Sequence, residues 1–285
     1  MSEEQVPTGL ARRRRRLTDQ ETERRMLDAA VDMVNRTGLT VSLEHISLEE
    51  VIRAAGVARS AAYRRWPYKD LFFSDLLKEL ATGAAPVVAQ ANPEAVAATS
   101  RILLEHLDWL RQPSLRPALI AELFRRRALA ELETFHDSVE WRTYIALHAT
   151  FLSLPDGDLR EQVQELLTDS EREQTAGLAA FFERIATLLG CRLRPGMGSF
   201  EDIARLTTAA IRGMVVMSPA NPALTTHSVH ANPFGAPEAA EWSQPALALA
   251  SIVTTFVEPD PTVEFDEARV AAVRKALTDD SGLPR

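Results

Sequence analysis

Cationic side chains in one acid-free stretch carry the clearest chemical signal in this sequence. The stretch from position 51 to position 69 contains no Asp or Glu, and its cations are Arg53, Arg59, Arg64, Arg65 and Lys69. Each Lys or Arg that neutralises a phosphate releases counterions, so a stretch of this kind is suited to a nucleic-acid backbone. A solvated helix face has the same composition, and charge alone leaves both interpretations open.

The residues around these cations predict two short helices joined by a tight turn. Ser47 can cap the first helix, with Glu50 three residues later to complete a capping box. Gly56 can supply the left-handed conformation that ends a helix. The second helix is expected to begin near Ala58 and to end before Pro67, because proline disfavours helix at the preceding residue. This arrangement is a helix-turn-helix, whose second helix enters the DNA major groove.

At these residues the chain resembles the TetR-type family of transcriptional regulators, over roughly residues 17–80. The residues that carry the resemblance are Gly56, Val57, Tyr63, Trp66, Lys69 and Leu71. Two positions depart from the family pattern. Ala58 stands where a capping Ser or Thr is usual, and Tyr68 stands where a small polar residue is usual.

The resemblance implies a fold as well as contacts with DNA. The fold is all-α, with an N-terminal three-helix helix-turn-helix DNA-binding domain and a C-terminal helical domain for ligand binding and dimerisation. Tyr63 and Lys69 would hold phosphates. The positions that would read bases are Arg59, Ser60, Ala61 and Arg65.

A run of five arginines precedes the first predicted helix: Arg12, Arg13, Arg14, Arg15 and Arg16. N-terminal arms of other helix-turn-helix proteins follow the DNA backbone or enter the minor groove. A solvated charged tail has the same composition, but we favour the arm because it directly precedes the helix-turn-helix. The residues expected at DNA are therefore this arm together with Ser47, Arg59, Ser60, Ala61, Tyr63, Arg64, Arg65 and Lys69.

Length and charge predict two domains. The 285 residues suffice for a basic arm over 1–16, a DNA-binding domain over 17–82 and a helical ligand-binding and dimerisation domain over 83–285. Of the 32 basic and 40 acidic residues, 14 and 13 lie in residues 1–80, which leaves 18 and 27 in the remainder. The acidic remainder should be repelled by DNA and so help to orient the molecule.

Helical patterns continue through the rest of the chain, without the alternation typical of strands. We expect the fourth helix over 69–82, which would connect the two domains. Further helices are expected over 92–111, 117–132, 140–151, 159–189, 200–217, 244–256 and 264–277. Residues 218–239 contain four prolines and are expected to be irregular.

The sequence argues against an enzyme. It contains no Gly-rich phosphate loop, GxSxG, CxxC or HExxH pattern, and His227 with His230 has no clear third metal ligand. We therefore expect no cofactor and no metal. The single cysteine, Cys191, fits a reducing cytoplasm, and the absence of a long apolar run predicts no membrane span.

Aromatic and histidine side chains in the middle of the sequence are candidates for a small-molecule pocket. Ligand sites are mostly apolar with few polar anchors, and the candidates are His106, Trp109, Phe124, Trp141, Tyr144, His148 and Phe151. For any one of these residues, ordinary core packing explains its type equally well.

Two apolar helices, over 200–217 and 244–256, resemble the dimerisation pair of the TetR-type family. The candidate interface residues are Ile203, Leu206, Ala210, Leu247, Ala250 and Thr254. The alternative is that both helices are buried inside one subunit.

The function implied is a homodimeric repressor that binds a palindromic DNA operator and is released by a small-molecule effector. The alternatives are an activator or regulator that needs no ligand, and a helical enzyme or carrier with a helix-turn-helix interaction module. The effector, the operator and the regulated genes have no signature in the sequence.

Overall fold

The computed structural model of the chain describes residues 17–37, 46–82 and 93–278, and these residues are mostly helical. The first four helices are α1 (Asp19–Thr37), α2 (Leu48–Ala55), α3 (Arg59–Arg65) and α4 (Lys69–Thr82). They are followed by α5 (Pro93–Glu105), α6 (Arg116–Asp137), α7 (Val139–Leu152), α8 (Asp158–Leu188) and α9 (Phe200–Met217). The last helices are α10 (Ala223–Thr226), α11 (Gln244–Phe256) and α12 (Glu267–Thr278). The Arg12–Arg16 run lies outside the described residues.

The ends of the first helices follow the sequence signals. The Thr18 hydroxyl accepts a hydrogen bond from the Glu21 amide at 3.1 Å, and the Ser47 hydroxyl accepts one from Glu50 at 3.4 Å. Gly56 takes a φ of 63°, and its amide donates to the Arg53 carbonyl. Helix α3 begins after Ala58 with no side-chain cap hydrogen bond. Two short helices separated by a turn, and a helix over 69–82, therefore lie where the sequence signals placed them.

Helix α3 is anchored to α4 through a fully buried tryptophan. The Trp66 and Phe72 rings meet edge to face with centroids 5.1 Å apart. The Trp66 indole Nε1 donates to the Asp75 carboxylate at 2.9 Å. This contact fixes the tilt of α3, because it ties the residue after α3 to the middle of α4.

The apolar core of the first four helices extends beyond residue 82. Leu147 of α7 and both Val163 and Leu167 of α8 are buried in the same cluster as the side chains of α1 to α4. The boundary expected at residue 82 therefore does not separate two independent cores. Helix α8 runs from this cluster into a second one, where Leu178 and Phe182 are buried.

The later helices pack around a core in which one buried arginine, Arg116, hydrogen-bonds to several segments of the chain. Helix α11 packs against α6 and α9, and α8 packs against α9. Arg116, at the start of α6, is 1% exposed, and its guanidinium donates to the carbonyls of Leu110, Gly190 and Val263. This side chain joins three separate segments of the chain.

Short strands occur where only helices and loops were expected. Strand β1 (Cys191–Leu193) pairs antiparallel with β4 (Val257–Pro259), with Arg192 opposite Glu258. Strands β2 (Ser228–Ala231) and β3 (Ala240–Ser243) form a hairpin inside the segment predicted to be irregular. Buried Trp242 stabilises that hairpin against the core.

The helix expected over 92–111 is interrupted. Helix α5 ends at Glu105, and 3-10 turns follow over Leu107–Arg111 and Pro113–Leu115. The His106 Nδ1 lies 2.9 Å from the Ile102 carbonyl, at the point where the helix ends. The helices predicted over 200–217 and 244–256 are confirmed.

Candidate nucleic-acid interface and ligand cavity

The exposed face of α3 is organised by one carboxylate on α2. The Glu49 Oε1 accepts a hydrogen bond from the Tyr63 hydroxyl at 2.7 Å and lies 2.7 Å from the Arg59 Nη2. The Arg59 side chain is 70% exposed, and its Cζ lies 5.6 Å from the centroid of the Tyr63 ring. Glu49 thus positions both side chains at the surface, beside exposed Ser60. Sequence reasoning missed Glu49, since a carboxylate in the first turn of a helix looks like a routine helix-dipole partner.

The other two arginines of α3 are used within the chain. Arg64 pairs with Asp19, and the Arg65 Nε lies 3.0 Å from the Glu23 carboxylate of α1. The Arg65 Nη2 also reaches the Asp75 carboxylate at 3.3 Å. The hydrogen bond that Arg65 donates to Glu23 raises the pKa of Arg65, although burial acts against it. The Arg65 guanidinium therefore holds α1, α3 and α4 together, and its contact with bases stays a prediction.

The remaining candidates for DNA contact lie around the same surface. Lys69 is exposed, with its Nζ 4.7 Å from the centroid of the Phe73 ring. Tyr68 is 73% exposed, and Ala61 is half-buried. The Ser47 hydroxyl accepts the capping hydrogen bond of α2, so its structural role is established.

A cavity lies among α5, α6, α8, α9 and α11, with a free volume of about 110 Å³. Its wall contains the aromatic side chains Phe124, Phe135, Trp141, Phe181 and Phe182. Ser138 caps α7 by accepting from the Trp141 amide at 3.2 Å, and the Trp141 ring packs 4.2 Å from that of Phe135. The cavity is therefore largely apolar, as small-molecule sites are.

Two charged side chains of α6 lie on the cavity wall, one turn apart. The Arg127 Nη1 donates to the Ala95 carbonyl and to the Thr99 hydroxyl, the latter at 2.9 Å. Glu131 has no hydrogen-bond or ion-pair partner among the described residues. Burial raises the pKa of the Glu131 carboxyl, and the charge of Arg127 offsets this only in part.

The seven residues predicted to bind a ligand do not form one pocket. Phe124 and Trp141 line the cavity. The His106 and Trp109 rings meet edge to face with centroids 4.6 Å apart, and neither residue lines the cavity. Phe151 packs against Arg160 and the N-terminal core. The expectation is corrected for these three and for Tyr144 and His148, since none of the five lines the cavity.

Tyr144 and His148 belong to a polar cluster beside the cavity. Their rings are 4.5 Å apart, and Arg212 of α9 lies 4.6 Å from the Tyr144 ring. Arg212 is 2.9 Å from the Glu171 carboxylate and also donates to Gln174, which lines the cavity. Burial lowers the pKa of His148, and the charge of Arg212 lowers it further. The cluster ties α7, α8 and α9 together at the cavity edge.

The predicted dimerisation residues divide by burial. Ile203 and Ala250 are buried inside the chain, so the expectation that they form an intersubunit surface is corrected. Leu247 and Thr254 are half-buried, as is Ala210, and Leu206 is 48% exposed. Val216 and Met217 are also exposed on α9. Sequence spacing identified the apolar helices but not which of their apolar residues are buried inside the chain.

Neither a metal site nor a membrane span is found in the described part of the chain. No group of three or more His, Cys, Asp or Glu within residues 17–37, 46–82 and 93–278 is placed to hold a metal ion. No helix over the same ranges has the length and apolar content needed to cross a membrane.

Comparisons of the chain with protein-family models, curated proteins and solved structures find no match.

Proposed function

We propose that this protein is a TetR-like DNA-binding transcriptional regulator that acts as a homodimer and is released from a palindromic operator by a small molecule. The observation that carries the proposal is the surface of α3, where Arg59, Ser60 and Tyr63 face the solvent on a short helix after a tight turn. In helix-turn-helix proteins the N-terminal part of the second helix contacts base edges in the major groove.

The rigidity of α3 supports this role. Trp66 is fully buried against Phe72, and the Arg65 side chain bridges Glu23 and Asp75. A reading helix must keep its register on the bases, because hydrogen bonds to base edges depend on geometry. The internal contacts of Arg65 supply that support, while Arg59 and Tyr63 supply the outward-facing groups.

Helix α8 offers a mechanical connection between the cavity and the DNA-binding face. Its first half contributes Val163 and Leu167 to the core shared with α4, and its second half contributes Leu178 and Phe182 to the cavity wall. A ligand that displaces the second half would move α4, and α3 with it. Such coupling requires the ligand to bind the two arrangements with different affinity.

The exposed apolar side of α9 supports dimerisation. Leu206, Val216 and Met217 are exposed together with the small residues Ala209 and Gly213. Exposed apolar surface of this kind marks interaction sites in monomeric structures. A two-fold dimer would match a palindromic operator with half-sites about one helical turn apart or a multiple of it.

The test is selection of duplexes from a random library by the full-length protein, followed by binding assays on the enriched sequence. We expect an enriched palindrome, and Arg59→Ala should weaken binding to it by about 1–3 kcal/mol while reducing discrimination against single base changes. Arg274→Ala, an exposed arginine on α12, is the matched control and should bind normally. Failure to enrich any sequence would contradict the proposal.

A further inference from the structure

The cavity contains one polar group that no part of the described chain satisfies. Glu131 lies on the wall and has no hydrogen-bond or ion-pair partner among the described residues. The side chain is half-buried, and it lies on a largely apolar wall. A hydrogen-bond donor, and preferably a positive charge, would stabilise a carboxylate in this position.

Arg127 does not supply this donor, although it lies one turn away on the same helix. Its Nη1 is directed to the Ala95 carbonyl and the Thr99 hydroxyl of α5. No ion pair joins Arg127 to Glu131 within the described residues. Glu122 on the same helix differs, because its two carboxylate oxygens accept hydrogen bonds from the Arg125 Nε and Nη2, each at 2.6 Å. Helix α6 thus carries one fully paired carboxylate, that of Glu122, and one without such a partner, that of Glu131 on the cavity wall.

The side chains around Glu131 indicate the chemical character and size of the remaining part of the ligand. Phe124, Phe135, Trp141, Phe181 and Phe182 surround the same space. Aromatic faces attract cations as well as apolar groups, with a larger effect when water is excluded. The volume of about 110 Å³ suits a ligand built on one ring, since an engineered apolar cavity of about 150 Å³ binds benzene.

We infer that the effector of this protein is a lipophilic amine: a small aromatic or aliphatic body that fills the cavity and carries a protonated nitrogen that donates to the Glu131 carboxylate. The inference rests on the proposed function, since it names the chemistry of the effector that the proposal requires. Burial raises the pKa of the unliganded Glu131 carboxyl, and a bound cation would favour its charged form.

The experiment compares three probes of nearly the same shape by isothermal titration of the full-length protein at neutral pH. The probes are 2-phenylethylamine, which is cationic, 2-phenylethanol, which is neutral, and phenylacetate, which is anionic. Wild type is expected to bind the amine at least about tenfold more tightly than the alcohol, as one charge-assisted hydrogen bond allows. Phenylacetate should bind least, because its carboxylate would lie beside that of Glu131.

Two variants assign the preference to Glu131. Glu131→Gln keeps the size of the side chain and removes the charge, so the affinity for the amine should fall to that for the alcohol. Glu133→Gln, on the exposed side of the same helix, should leave all three affinities unchanged. Thermal unfolding checks that each variant is folded, and the three-probe comparison on wild type decides the matter even if Glu131→Gln is not.

Several results would overturn the inference. Wild type could bind the alcohol as tightly as the amine or more tightly, or it could bind phenylacetate more tightly, which would make Arg127 the anchor. The preference for the amine could survive in Glu131→Gln. Finally, no probe could show saturable binding up to its solubility limit. The outcome is separable from that of the proposed regulator, because no DNA is present. Amine selectivity without any effect on DNA binding would contradict only the proposed function.

Discussion

The surface of α3 and the helices around the cavity place their charged side chains in opposite environments. On α3, Arg59 and Arg64 extend into solvent and pair with partly exposed carboxylates. In the later helices Arg116 is buried, Arg212 and Glu131 are half-buried, and the large apolar side chain of Leu206 is exposed on α9. The charges of α3 thus face the solvent, whereas these three charges are wholly or partly withdrawn from it.

The difference indicates two kinds of partner. Exposed ion pairs contribute little to stability, so the arginines of α3 can exchange Glu49 or Asp19 for phosphate at small cost. A buried cation such as Arg116 has no such freedom, because its hydrogen bonds hold three segments together. The charges on α3 suit the charged macromolecule proposed as partner, whereas Arg116 serves the fold and Glu131 suits the proposed small ligand.

The largest expected effect is a loss of stability when the buried cation Arg116 is replaced. Arg116→Met should remove all three hydrogen bonds, and a hydrogen bond from a charged group contributes about 1.5–3 kcal/mol. We expect a loss of at least about 3 kcal/mol in the free energy of unfolding, measured by urea denaturation. Arg111→Met, at an exposed position nearby, should change it by less than about 0.5 kcal/mol. Equal losses of stability in both variants would show that the Arg116 hydrogen bonds do not stabilise the fold.

The outward apolar face is tested by a charge at Leu206. Leu206→Asp should give a folded monomer, because the side chain is 48% exposed and contributes little to the core of one subunit. Operator affinity should then fall by more than about tenfold, since each half-site would be bound alone. Light scattering reports the mass, and Arg205→Asp on the adjacent exposed position is the control for added charge. A Leu206→Asp dimer would place the interface elsewhere.

A smaller effect is expected where the two kinds of environment meet, at Asp75. Burial raises the pKa of Asp75, but hydrogen bonds from Lys78 and Trp66 and the charges of Lys78 and Arg65 outweigh it, so the pKa lies below its ordinary value of 3.8. The stability that the carboxylate contributes is therefore present above pH 3.8 and is lost as the pH falls through the lower folded-state pKa.

Asp75→Asn should accordingly destabilise the protein by about 1–2 kcal/mol at neutral pH, with the difference from wild type shrinking in acid. Urea denaturation at several pH values measures it. Asp70→Asn, exposed in the first turn of the same helix, is the control. A difference that grows in acid would contradict the assigned role of Asp75.

The smallest effect is expected at Glu49, on the outward face. Its replacement by Gln should release Arg59 and Tyr63 from a carboxylate that competes with phosphate. Affinity for any duplex should rise about two- to fivefold at low salt, within the range of an exposed ion pair, and sequence preference should decline because Arg59 is less well positioned. Glu50→Gln is the control on the neighbouring exposed residue. Weaker binding by Glu49→Gln would show that positioning outweighs competition.

Local signals in the sequence predicted the N-terminal helices well. Ser47 and Gly56 act through neighbours three or four residues away, and their geometry is as expected. The role of Arg65 depends on Glu23, which lies 42 residues away in the sequence. No spacing rule links the two positions, so the sequence could not reveal this internal bridge.

The cavity was predicted only in part for the same reason. Aromatic residue types indicated a pocket, but Phe181 and Phe182 belong to α8, outside the cluster of aromatics that drew attention. Nothing in the sequence marks Glu131, because the packing of other helices around it is not visible along α6. The β2–β3 hairpin was missed because four prolines concealed two short strands.

The central claim, that the outward charges of α3 and its neighbours meet DNA, is tested most directly by the salt dependence of duplex binding. The logarithm of affinity for a selected duplex should fall linearly with the logarithm of salt concentration in wild type. Lys69→Ala should reduce that slope by about one and weaken binding to all sequences alike, whereas Lys275→Ala on exposed α12 should leave it unchanged. A slope near zero in wild type, or identical slopes for wild type and Lys69→Ala, would contradict the account.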